Sequence, residues 1–211
     1  MKITLKVLLV AAILLLVYMC YRSIMGPIEF DRERTVRETA IQARLIDIRK
    51  AQIEFKNTYG VHAANFEELS KFLNEKKLPF VLKEGVLTDE QLSKGMTEKE
   101  AVKKGIIRRD TFWVLAKDTL FSRGFNADSL AIVPVQGVDA RFSMDTATIK
   151  SSSGYVVRVF ESGVKYDVYL GDLDHQQLVN LKDKMNKMKK FDGLRVGSVT
   201  EINNNAGNWE N

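Results

Sequence analysis

The chain has 211 residues, a formal net charge of +5, 45% hydrophobic residues and 28% charged ones, an ordinary globular composition that excludes extensive disorder. Three of its 32 basic residues (Lys2, Lys6 and Arg22) flank an N-terminal apolar segment, leaving 29 against 27 acidic ones. The remainder is therefore near neutral, and no nucleic-acid partner is expected. The only cysteine, Cys20, lies inside the apolar segment, which excludes a disulfide framework or a cysteine-held metal elsewhere.

From Ile3 to Tyr21 the only charge is Lys6, close enough to the end to snorkel. A helix over this run rises about 28 Å, close to the hydrocarbon thickness of a bilayer. Tyr18 and Tyr21 fall where an interfacial aromatic belt lies. Residues 1–23 are expected to be a transmembrane signal anchor, with the lipid bilayer as the partner of residues 3–21. The exit, Tyr18-Met-Cys-Tyr-Arg-Ser-Ile-Met-Gly26, contains no Ala-x-Ala cleavage pattern. Tyr18 and Met19 are bulky where a lipoprotein signal has small residues, so Cys20 reads as a small apolar helix residue. Lys2 and Lys6 predict a single-pass protein of the inner membrane, N-terminus cytoplasmic and domain extracytoplasmic, in the periplasm.

Gly26-Pro27 predicts a break in the helix, and residues 24–40 a charged, solvent-exposed stalk. Ile41, Leu45, Ile48, Gln52, Phe55 and Tyr59 then recur at alternating intervals of four and three, a helical stripe with one polar member. Tyr59-Gly60 ends that helix. Asn65-Phe-Glu-Glu68, Thr88-x-x-Gln91 and Thr97-x-x-Glu100 each carry the signature that opens a helix. Between them, residues 78–83 read as an edge strand because of Pro79. Strand-like runs follow at 111–116, 130–135, 140–150, 155–161 and 165–170, the last two joined by a hairpin at Ser162-Gly163. A helix opens at Asp172, runs to about Lys190 and is followed by a strand at 194–202. Residues 41–202 are thus expected to form a single α+β domain in which the long helix packs on an antiparallel sheet, with several short helices and one late helix. Residues 203–211 read as a polar tail.

No residue set points to catalysis. The two histidines, His62 and His175, stand alone in a turn and a first helical turn. No phosphate-binding or dinucleotide Gly-rich loop is present, Ser151-Ser-Ser-Gly154 and Gly193-Leu-Arg-Val-Gly197 included, and no nucleophile elbow. Asp167, Asp172 and Asp174 are explained by caps and turns better than by a cation. The basic run 182–190 reads as the solvated face of a helix. Trp113 reads as a core residue. Trp209 in its polar surroundings either docks back or meets a partner. Neither a cofactor nor a metal is expected.

The stretch Ile46-Asp-Ile-Arg-Lys-Ala-Gln-Ile-Glu-Phe55-Lys-Asn-Thr-Tyr-Gly60-Val-His62, followed by Asn65-Phe-Glu-Glu-Leu69, resembles the helix-to-turn region of type IV pilins and type II secretion pseudopilins. The chain is also similar to membrane-anchored Bacteroidetes proteins that carry no assigned activity. The first resemblance implies a membrane helix continuing into a soluble one, an antiparallel sheet and lateral assembly partners. It carries over no processing residue, because no prepilin site precedes the apolar run and no Glu lies within it. The expected function is that of a non-enzymatic, pseudopilin-like structural or assembly subunit of the cell envelope. Envelope protein partners or self-association would engage Ile41, Leu45, Ile48, Gln52 and Trp209. The alternative is an extracytoplasmic ligand- or peptide-binding module, motivated by Tyr155, Tyr166, Tyr169 and Trp113.

Overall fold

The computed structural model describes residues 2–93, 95–122, 124–151 and 153–210; Met1, Ser152 and Asn211, which belong to the expected anchor, loop and tail, lie outside them. The fold is α+β with antiparallel sheets, and its contacts divide the chain into two units, residues 1–65 with 130–211, and residues 66–129.

The first unit is organised by α1, Lys2–Tyr59. Its residues are mostly strong helix formers: Leu, Ala and Met in the apolar part, then Arg, Glu and Lys. The expected break is not there, for Pro27 sits inside an unbroken helix. Proline removes one backbone donor and crowds the carbonyl of the preceding turn. Both flanks are nevertheless held helical: the apolar run by propensity, and the following turns by tertiary packing that begins at the buried Phe30. The expected stalk is likewise packed along one face, where Arg34, Arg37 and Glu38 are mostly covered. Gly60, at φ +76, ends the helix and donates to the Lys56 carbonyl at 2.7 Å, a left-handed cap that suits glycine.

The sheet of this unit has the order β3-β4-β5, formed by Ser143–Lys150, Val156–Lys165 and Gly193–Gly197. β4 and β5 lie against α1. Ile41, Leu45 and Ile48 are fully buried with Phe160, Val164, Leu194 and Val196. The expected hairpin at Ser162-Gly163 is instead the middle of β4, where Gly163 pairs with both Ser143 and Arg195. A Cβ on Gly163 would stand 2.8 Å from both the Arg195 Cβ and the Leu194 carbonyl oxygen. The glycine serves close strand approach, not a turn. The expected strand at 165–170 is the helix α6, Tyr166–Leu170, which leads to α7, His175–Lys187. The expected strand at 130–135 is a 3-10 turn, Ala127–Ala131, followed by one isolated bridge between Ile132 and Arg141.

The expected polar tail is folded. Gly207 bridges to Val196 beside β5. Asn208 imitates a strand with its side chain: its Oδ1 accepts from the Arg195 backbone at 3.0 Å and its amide donates to the Gly193 carbonyl at 2.8 Å. Asn204 and Asn205 adopt positive φ in the turn before it, a conformation asparagine tolerates.

The second unit contains α2 (Phe66–Glu75), β1 (Lys77–Glu84), α3 (Asp89–Ser93), α4 (Glu98–Lys103), β2 (Arg108–Leu115) and α5 (Ala116–Leu120). β1 and β2 form a two-stranded antiparallel ribbon, and Pro79 lies on the strand predicted for it. Thr97 and Glu100 make the predicted capping box at α4. α2 buries Leu69, Phe72 and Leu73, and Lys117 on α5 donates to Asn74 at 3.2 Å.

Replacing Gly163 by Val forces β4 from its neighbours. The expected loss is about 2–3 kcal/mol, a drop of roughly 5–10 °C in the melting temperature of the detergent-solubilised chain. An unchanged melting curve would contradict this placement of Gly163.

Candidate functional site

Four of the predicted contact residues prove to be internal. Ile41, Leu45 and Ile48 are the spine of the first unit's core, and Gln52 is 0% exposed. A helix stripe satisfied by its own sheet has no surface left for a partner, which corrects the expectation that these side chains meet one. Gln52 is instead a latch. Its amide donates to the Ala63 carbonyl at 3.0 Å, and its carbonyl accepts from the Ala63 N–H at 2.9 Å. This pair folds the segment after Gly60 back along α1. Gln52→Leu would orphan both backbone groups, at an expected cost of about 2–4 kcal/mol in urea unfolding. Trp209 is half-buried, its ring lying over Gly207 where any Cβ would meet it at 2.5 Å. It docks on its own domain.

A polar seam joins α1 to α6 and the turn after it. Arg37 donates to both carboxylate oxygens of Asp172, at 2.5 and 2.8 Å, and to the Tyr169 carbonyl at 2.6 Å. The Arg37 hydrogen bond holds Asp172 below the usual carboxylate range. Arg34 Nε donates to Glu38 Oε1 at 3.0 Å, and the Tyr169 hydroxyl donates to the same oxygen at 3.3 Å. Burial, then the charge of Glu38, raises the Tyr169 phenol. Asp167 pairs with Lys182 at 2.5 Å, while Asp174 caps α7 by accepting from Gln177 at 3.0 Å. The three aspartates therefore serve separate structural bonds. Among the described residues, no three His, Cys, Asp or Glu side chains gather as a metal site requires.

His62 is 7% exposed and tilted against Phe160, with ring centroids 4.8 Å apart. Neither ring nitrogen makes a well-formed hydrogen bond, although the Gln52 and Arg158 backbones lie near enough to favour the proton weakly. Burial, reinforced by the nearby Lys56 charge, depresses its pKa to about 4. The imidazole is thus neutral and sealed, unsuited to proton transfer near neutral pH.

The feature missed from the sequence is the exposed aromatic surface of the β1–β2 ribbon, whose two strands were expected. Phe80 is 49% exposed, Phe112 51% and Trp113 64%. Phe80 and Phe112 are direct cross-strand partners, and Trp113 pairs with Pro79 at the next register position, so aromatic surface shows on both faces. Trp113 is therefore not a core residue. In the first unit Tyr155 is exposed, but Tyr166 and Tyr169 are buried, so these three offer no groove of aromatic rings. The signal was available in the apolar runs at 78–82 and 112–115: with aromatics at successive positions, an isolated ribbon buries one face at most.

α1 is long and apolar enough to cross a membrane; its most apolar window has a mean hydropathy of 2.6 and none of that window is buried. No protein-family model, curated protein or solved structure matches the chain.

Because folded His62 resists protonation, the unfolded chain alone takes up its proton between about pH 6.5 and 4. Its contribution is whole above pH 6.5 and is lost as pH falls through that window, on the order of 2–3 kcal/mol. The urea midpoint of the wild type should fall relative to that of His62→Phe as pH drops from 7 toward 4; parallel curves would rule out the sealed imidazole.

Proposed function

We propose that this chain is a non-enzymatic assembly subunit of the cell envelope, anchored in the inner membrane by the first part of α1 with its folded units outside. One observation carries the reading: the helix that offers the apolar span is the same unbroken helix that forms the spine of the β3-β4-β5 core. A tether for a free enzyme needs only a flexible linker, whereas this arrangement fixes the first unit to the anchor. The continuity of α1 through Pro27 supports the pseudopilin-like layout suggested by residues 46–69. The half-exposed aromatic residues of the ribbon supply partner surface, since exposed apolar clusters of this kind mark association sites.

The alternative, an extracytoplasmic peptide-binding module, is favoured by one feature of the same ribbon. Among the described residues β1 and β2 pair in a sheet only with each other, so neither has a second strand on its outer edge, where an added strand would pair.

Cross-linking in intact membranes followed by blue-native electrophoresis should give an assembly larger than the monomer. Phe112→Ser with Trp113→Ser should reduce the cross-linked species about five- to tenfold, as loss of aromatic interface anchors does. A strictly monomeric wild type would sink the assembly reading. Protease added to spheroplasts should digest the chain beyond Arg22, and full protection would reverse the orientation.

A further inference from the structure

Where the apolar part of α1 ends, the helix and the turn before α7 enclose a groove of about 420 Å³. Its helical wall is one face of α1. Tyr18, Tyr21 and Arg22 lie at one end, Gly26 forms the floor, and Glu29 and Glu33 lie at the other. Leu173 and Asp174 close the far side. Four observations give the groove a chemistry. The side chains of Arg22 and Glu29, two turns apart on the same face, make no hydrogen bond or ion pair with any described residue. Helical Cα–Cβ bonds tilt toward the N-terminus, so Glu29, C-terminal to Gly26, leans back over the groove. Gly26 has nothing within 4 Å of where a Cβ would stand, and it is not among the positive-φ glycines. Neither packing nor backbone geometry requires a glycine there, and mid-helix glycine costs about 0.5–1 kcal/mol relative to alanine. Its effect is to leave the groove open. Below the groove the apolar surface continues without interruption through the exposed Leu14 and Leu15.

We propose that this groove seats the headgroup of a membrane phospholipid carrying a cationic amine. The phosphate lies toward Arg22, and the amine toward Glu29, Glu33 and Asp174. Guanidinium groups bind phosphate well, and the carboxylates at the other end pair with the ammonium. The acyl chains follow the apolar face of α1 into the bilayer. The carboxylate end repels an anionic headgroup, so the groove selects a zwitterionic lipid over phosphatidylglycerol. The inference rests on the membrane-anchored reading given above.

The test uses the full chain reconstituted in vesicles of phosphatidylglycerol and phosphatidylethanolamine, with a photoactivatable form of either lipid and mapping of the labelled residues. The ethanolamine probe should label residues 18–33 at least fivefold more than the glycerol probe. That preference should disappear in Gly26→Leu, which fills the groove, and in Glu29→Gln with Glu33→Gln, which removes its charge. Leucine is a better helix former than glycine, so the first variant keeps α1 intact; circular dichroism melting checks both. Equal labelling by the two probes, or labelling unchanged in the variants, would overturn the proposal as ordinary boundary lipid. Loss of a homodimer cross-link in Gly26→Leu would overturn it in favour of a second copy of the chain. Carbonate extraction separates the two levels: a chain that washes off the membrane overturns the anchor and the groove together, whereas one that stays and labels both lipids alike overturns the groove alone.

Discussion

Burial of Ile41, Leu45 and Ile48 against β4 and β5 is the interaction on which the first unit depends. Removing a side chain of this size from water is worth about 1.5–3 kcal/mol, and three in register fix both the rotation of α1 and the face that its earlier turns present. Phe30, Arg34, Arg37 and Glu38 lie on that side because the stripe further along has set the phase. Gln52 continues the stripe as a polar member, and its two bonds to Ala63 satisfy in the core what a leucine there would leave unpaired.

The electrostatics are secondary and local. The bidentate Arg37–Asp172 pair has a well-shielded arginine and a largely exposed aspartate. It positions the turn before α7 more than it stabilises the fold. The shared oxygen of Glu38, reached by Arg34 and the Tyr169 hydroxyl, lies deeper and orients α6. These bonds also hold Leu173 and Asp174 beside the helix, without which the groove along α1 would be an open face.

Much of the architecture was legible because it rests on period and chain-local chemistry. The stripe, the Thr97–Glu100 box and the edge strand with Pro79 are decided by residues within a turn or two of one another. The misreadings share a different cause. Gly163 looks like a turn residue until both neighbouring strands are in place, when the reason for it becomes steric. Gly26-Pro27 looks like a stop, but the packing that carries α1 past it comes from residues 30–55 and their distant sheet. The asparagine-rich end looks like a polar tail because its pairing is made by the Asn208 side chain, which no backbone pattern announces. At the candidate site, the exposed aromatics of β1 and β2 were visible as residues but not as surface, since exposure depends on what fails to cover the ribbon.

The folded end of the chain bears on how copies of this protein can aggregate. An uncovered β-strand invites another chain to extend the sheet. Along β5 that invitation is withdrawn: residues 206–208 occupy bonding positions at Arg195, Val196 and Gly197, and Arg49 grips Glu210 with bonds of 2.8 and 2.9 Å. Among the described residues, β3 has no comparable pairing on its outer side. The two outer edges of the three-stranded sheet therefore differ: the β5 edge is occupied by the chain's own residues 206–208, and the β3 edge has no such partner among the described residues. Trimming the last few residues would leave the outer edge of β5 unpaired as well, and so expose it to strand addition.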